Sequence, residues 1–218
     1  MKRLIAITVI AGALAFAAFA SANVLVFTTK FSKQKDVQRI DRLVGGKACK
    51  KSWQDKKALG VSVKTGRREC VYQTPVEGDA KLPNHVLQAT GIVDKKTNKK
   101  IRSQVYVGLQ VRANARSSYE MRIFPKGRRF KVLKNGNELD SGKSKDINEL
   151  SQKNRLKLEV NRSDLIAKVN GKLVGRFRDN NAEQVNGRKT ALTFGSEARA
   201  KKDAYATFDS VKVFVPDP

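Results

Sequence analysis

Apolar and polar residues alternate along most of this chain with a period of two, the signature of half-buried β-strands. The pattern predicts strands over 58–63, 69–74, 85–93, 101–112, 118–124 and 129–134, and again over 156–160, 165–169, 172–178, 190–195 and 204–215. Turn signals separate them: Thr65-Gly66, Asn135-Gly136 and Asn170-Gly171, the last two reading as two-residue hairpin turns. The stretch 31–59 is the least regular, with Ile40, Leu43 and Trp53 as its large anchors, and Trp53 is expected to sit under the loop between the two cysteines. The only helical turn that the pattern allows is 147–150. About ten strands joined by tight turns, with no repeat or linker, predict one β-sandwich or jelly roll.

The start of the chain follows different rules. Met1-Lys2-Arg3 leads into an apolar run over 4–19, followed by the small residues Ala20, Ser21 and Ala22. A short basic region, an apolar core and an A-x-A-like site make a secretory signal. The apolar stretch is also long enough to serve as a signal-anchor. Cleavage after Ala20 or Ala22 is the preferred reading, because Val24 to Phe27 are β-prone and serve better as the first strand of the mature domain. The expected layout is a signal peptide (or signal-anchor) over 1–22 and a single domain over 23–218, facing the extracellular space or cell envelope. The two cysteines, Cys49 and Cys70, fit this: in an oxidising compartment they are expected to form a disulfide.

The formal charge of +25 draws the chain towards polyanions. Outside a cell these are teichoic acids, acidic polysaccharides, anionic lipid headgroups and DNA. The basic clusters around Lys95-Lys96, Arg128-Arg129 and Lys201-Lys202 fall in predicted turns spread along the chain. Aromatic residues make up 7% of the chain and fall mostly on predicted core faces, which disfavours base stacking and a specific nucleic-acid partner.

Several segments resemble a known superfamily. They are 71–79 (VYQTPVEGD), 105–112 (VYVGLQVR), 119–122 (YEMR), 165–172 (LIAKVNGK) and 204–213 (AYATFDSVKV). Together they resemble the concanavalin A-like lectin/glucanase superfamily, and within it exported bacterial proteins related to the 3-keto-disaccharide hydrolase domain. The resemblance spans roughly 27–218 and implies an all-β jelly-roll sandwich of two antiparallel sheets, whose concave face meets carbohydrate in many relatives. It also brings a structural calcium site into view, for which Asp209 matches one position. The first strand offers Thr28, Thr29 and Lys30 where further acids would be needed, so no cofactor is expected.

Alternation sorts the faces of the central strands. Val105, Val107, Leu109 and Val111 belong to the core, which leaves Gln104, Tyr106, Gln110 and Arg112 on the opposite face. In the next strand Glu120 and Arg122 point the same way, with Glu120 expected to neutralise Arg112 or Arg122. Amides, guanidinium groups and one ring on one surface make a candidate sugar-binding face. Catalysis finds less support, because the chain has no E-x-D-x-x-E cluster and a single His85, expected as a surface or capping residue. The expected function is an exported, non-enzymatic, monomeric module binding polysaccharide or anionic cell-envelope polymer. The alternatives are a 3-keto-disaccharide hydrolase-like glycosidase and an extracellular polyanion binder.

Overall fold

Two-residue alternation becomes two stacked antiparallel sheets in the computed structural model, which describes residues 23–64, 66, 68–77 and 84–216. The signal segment expected over 1–22 lies outside these residues. No helix of the described residues is long and apolar enough to cross a membrane.

The chain opens with β1 (Asn23–Thr29), a five-residue helix α1 (Gln34–Gln38), β2 (Asp41–Val44), β3 (Cys49–Gln54), β4 (Ala58–Lys64) and β5 (Glu69–Glu77). β6 (His85–Val93), β7 (Val105–Ala113), β8 (Tyr119–Phe124), β9 (Arg129–Lys134) and β10 (Asn137–Lys143) follow. The last strands are β11 (Asn154–Asn161), β12 (Asp164–Val169), β13 (Lys172–Arg178), β14 (Lys189–Ser196) and β15 (Asp203–Pro216). One sheet runs β13-β12-β11-β6-β15-β4-β3, with β1 pairing the second half of the long β15; the other runs β10-β9-β8-β7-β14-β5-β2.

Three strands escape the alternation rule: β2, β3 and β10. All three are sheet edges, rich in exposed polar residues. An edge strand hydrogen-bonds on one side only, and charges along it discourage pairing with other chains. The expected helical turn at 147–150 is not helical; the short helix is α1 instead. Its C-terminal carbonyls are held by the Lys51 ammonium, which donates to Val37 O at 3.1 Å and also to Ile40 O. Burial pushes that ammonium's pKa down. Trp53 is half-buried against the core, and its indole N–H donates to the Phe31 carbonyl at 2.8 Å, so it anchors the segment after β1.

Both predicted hairpins form as expected. Asn135-Gly136 and Asn170-Gly171 each place two residues at positive φ, the geometry that matches strand twist. The core lies between the sheets. Val107, Leu109, Met121 and Phe194 from one sheet meet Leu87, Leu158, Phe208 and Val213 from the other. His85 begins β6 on this inward side and is fully buried, so it is not a surface residue. Cys49 and Cys70 form the expected disulfide, with Cα atoms 5.7 Å apart, tying an edge strand of one sheet to the other sheet.

A candidate functional cleft on one sheet face

The outward face of the second sheet carries a polar network across four adjacent strands, β8, β7, β14 and β5. Glu120 and Arg122 lie two residues apart on β8 and so share a face. Arg122 grips both oxygens of Glu120, with Nε to Oε1 at 2.6 Å and Nη2 to Oε2 at 2.8 Å. The same Nη2 reaches Glu69 Oε1 on β5 at 3.2 Å. That oxygen also accepts from Gln110 Nε2 at 3.1 Å and from Thr193 Oγ1 at 2.8 Å. Three donors on one oxygen leave the Glu69 carboxylate little freedom to turn.

Tyr106 lies beneath this arrangement. Its ring is covered by the Arg122 guanidinium, 4.4 Å from the ring centre, and meets Phe124 at 5.5 Å. Gly195 on β14 makes room for it, because a Cβ there would come within 2.7 Å of the Tyr106 hydroxyl and 2.4 Å of the Arg68 carbonyl. Only 2% of Tyr106 is exposed. The ring expected to stack on a sugar is therefore a buried support for Arg122.

The electrostatics follow from burial. Glu120 is 3% exposed. Burial raises its pKa to about 7; Arg122 opposes the rise, and the neighbouring Glu69 carboxylate adds to it. Glu120 is thus the carboxyl of this cluster that is held towards its protonated form. Burial opposes the charge on Arg122, but Glu120, Tyr106 and Glu69 outweigh it and raise its pKa.

Above the network lies an open cleft of about 460 Å³, lined by Arg68, Glu69, Gln104, Tyr106, Arg122, Ser196 and Glu197. Of the six residues expected on this face, Gln104, Tyr106 and Arg122 reach the cleft. Gln110 bonds Glu69 from below, and Glu120 is buried under Arg122. Arg112 is elsewhere. A bulge in β7 gives it φ +48° and turns its side chain into the end of the sandwich. There it is fully buried, donates to the Arg162 carbonyl at 2.7 Å and faces the Tyr119 ring. Counting by twos through a bulge assigns the wrong face to every residue past it.

Sequence reasoning missed Arg68, Glu69, Ser196 and Glu197. Glu69 could have been found, because Glu69 and Val71 alternate with the core residues Cys70 and Tyr72 on a predicted strand. Ser196 and Glu197 follow the last predicted residue of β14, where no pattern marks a site. Glu197 is paired with Lys131 at 2.9 Å. Asp209, the possible calcium ligand, sits on the other sheet and pairs with Lys153 at 2.8 Å. Among the described residues no group of three or more His, Cys, Asp or Glu converges on one point.

The fold is a jelly-roll β-sandwich of the kind seen in galectin-like and lectin-like proteins. A Bacillus subtilis protein with a galectin-like fold is similar over 88% of this chain and 97% of its own, at 12% identity and a TM-score of 0.61. Arcelin-5, a lectin-like defence protein from Phaseolus vulgaris, covers 90% of this chain and 99% of its own, at 10% identity and a TM-score of 0.62. A laminarinase from Flavobacterium covers 88% of this chain and all of its own, at 9% identity and a TM-score of 0.58. No family model matches the sequence, and neither does any curated protein.

Proposed function

We propose that this protein is an exported carbohydrate-binding module that holds a glycan in the cleft above Glu69 and Arg122 without cleaving it. The observation that carries this reading is the fixed Glu69–Arg122 pair, a donor and an acceptor held in one geometry at the base of an open, polar cleft. Sugar hydroxyls both donate and accept, so paired, oriented polar groups suit them. Lectin-like proteins and a glucan hydrolase sharing the fold are consistent with a sugar ligand. The fold does not choose between binding and hydrolysis.

A second reading is hydrolysis, as the resemblance to the 3-keto-disaccharide hydrolase domain implies. It is favoured by one observation: two carboxylates, Glu69 and Glu197, both line the cleft. Against it, each is already engaged by a cation, Glu69 by Arg122 and Glu197 by Lys131. Among the described residues the one carboxyl held towards its neutral form, Glu120, is buried below Arg122 and does not line the cleft. Glu120 also lies within hydrogen-bonding reach of Glu69. The two carboxyls of a glycosidase stand roughly 5–10 Å apart, flanking the scissile bond.

A glycan array at moderate salt tests both readings, with Gln104→Ala and Glu69→Gln beside the wild type. We expect selective binding, unchanged glycans after prolonged incubation, and a loss of about tenfold in Glu69→Gln, equivalent to ~1.4 kcal/mol. No glycan bound above background, or binding indifferent to both substitutions, overturns the cleft reading. Released reducing ends that vanish in Glu197→Gln establish the hydrolase.

A further inference from the structure

A second cleft, of about 550 Å³, opens beside the first at the edge of the other sheet. Its charged lining is Lys47, Lys50, Lys64, Arg68 and Lys201 against the single carboxylate of Asp203. Many basic residues elsewhere are compensated: Lys131, Lys134, Lys153, Lys157 and Arg178 each pair with a carboxylate. Among the described residues the five cations of this cleft have no such pair. Five cations facing one carboxylate concentrate positive potential in a concave surface, where it is felt most strongly.

Two features join this cleft to the first. Arg68 lines both, standing on the ridge between them. The Cys49–Cys70 disulfide clamps the banks together, since Lys47 and Lys50 flank Cys49 while Arg68 and Glu69 precede Cys70. The cations are therefore set at fixed positions relative to Glu69, and less ordering is needed when a ligand arrives. The one ring in the wall, Tyr205, has the Lys96 ammonium over it at 5.0 Å, where a nucleic-acid base would have to stack.

We infer that the glycan is anionic and that one chain of it runs from the Glu69–Arg122 cleft across Arg68 into the basic cleft. Its sugar hydroxyls meet the first cleft and its carboxylate or sulfate groups meet the lysines of the second. This inference rests on the carbohydrate reading above and names the class of glycan that fits it.

The test is calorimetric titration with a polygalacturonate oligomer, a heparin oligomer, a neutral dextran oligomer and a single-stranded oligothymidylate, each at several salt concentrations. The proteins are the wild type, Glu69→Gln and the triple variant Lys50→Ala/Lys64→Ala/Lys201→Ala, whose three lysines are exposed. We expect one or both anionic oligomers to bind better than dextran, with affinity falling as salt rises. Which of the two binds separates carboxylate from sulfate recognition. The triple variant should lose at least tenfold in that affinity and show a shallower salt dependence, while Glu69→Gln weakens binding with the salt dependence unchanged. Dextran bound as tightly as the acidic oligomers, or a triple variant equal to wild type, overturns this inference and leaves the first cleft standing. Oligothymidylate bound more tightly than either glycan, and lost in the triple variant, overturns it in favour of nucleic acid. No binding of any oligosaccharide overturns both readings.

Discussion

Replacing Glu120 by Gln isolates the buried ion cluster from the rest of the protein. The ionised Glu120 is unfavourable in the folded state, where burial raises its pKa from 4.5 to about 7. A carboxyl whose folded-state pKa exceeds its unfolded value binds more protons in the native state between those two values, so stability falls as pH rises through the interval. The stabilising protonated form is fully present below about pH 4.5 and is lost by about pH 7. At 1.36 kcal/mol per pH unit, that interval corresponds to roughly 3 kcal/mol. Gln copies the neutral carboxyl: its oxygen accepts from Arg122, and its amide donates towards Glu69 as the protonated Glu120 would. Urea denaturation of both proteins at pH 5, 6, 7 and 8 gives the difference in unfolding free energy, from which all other titrating groups cancel. We expect that difference to shift towards the variant by about 2–3 kcal/mol from pH 5 to pH 8, as the wild type pays the ionisation penalty. A difference that stays constant with pH, or moves towards the wild type, refutes the raised pKa of the buried Glu120.

Arg122→Met should be more damaging than Glu120→Gln at neutral pH, because it strips Glu120, Glu69 and the Tyr106 ring of the guanidinium that binds them. It also removes the charge that opposes the rise in the Glu120 pKa, so denaturation from pH 5 to pH 9 should show stability still falling above pH 7, where that of the wild type levels off. Cys49→Ala/Cys70→Ala releases a crosslink between residues 21 apart. Chain entropy sets the loss at roughly 3 kcal/mol, read as a lower urea midpoint that matches that of the reduced wild type.

Most strands were legible from alternation alone. β4, β6, β9, β12, β13 and β14 fall within a few residues of the ranges that alternation predicts, because a half-buried strand must place its apolar residues on one side. The edge strands β2, β3 and β10 were hidden because most of their residues are exposed and carry no alternation, whereas β13, also an edge, was found through the Asn170-Gly171 turn that joins it to β12. Part of the site was legible for the same reason. Tyr106, Gln110, Glu120 and Arg122 lie on the face that parity assigns them, and Arg112 does not, because one extra residue in β7 reverses the count. Which of these side chains meets solvent was not legible. Burial of Tyr106 and Glu120 depends on Arg122 folding over them, a contact between strands that no single segment encodes. Glu69, Ser196 and Glu197 reach the cleft because β5 and β14 pair at that register, with Gly195 opposite both Glu69 and Tyr106.

Amide chemical-shift mapping with a bound oligosaccharide bears most directly on the cleft. A ligand held by Glu69 and Arg122 should perturb Arg68, Glu69, Gln104, Ser196 and Glu197, which come from three separate parts of the chain and converge only there. It should leave the far sheet face around Lys157, Lys168 and Lys212 unchanged. Perturbations confined to that far face, or to the basic turns around Lys95 and Arg128, would contradict the assignment of the site.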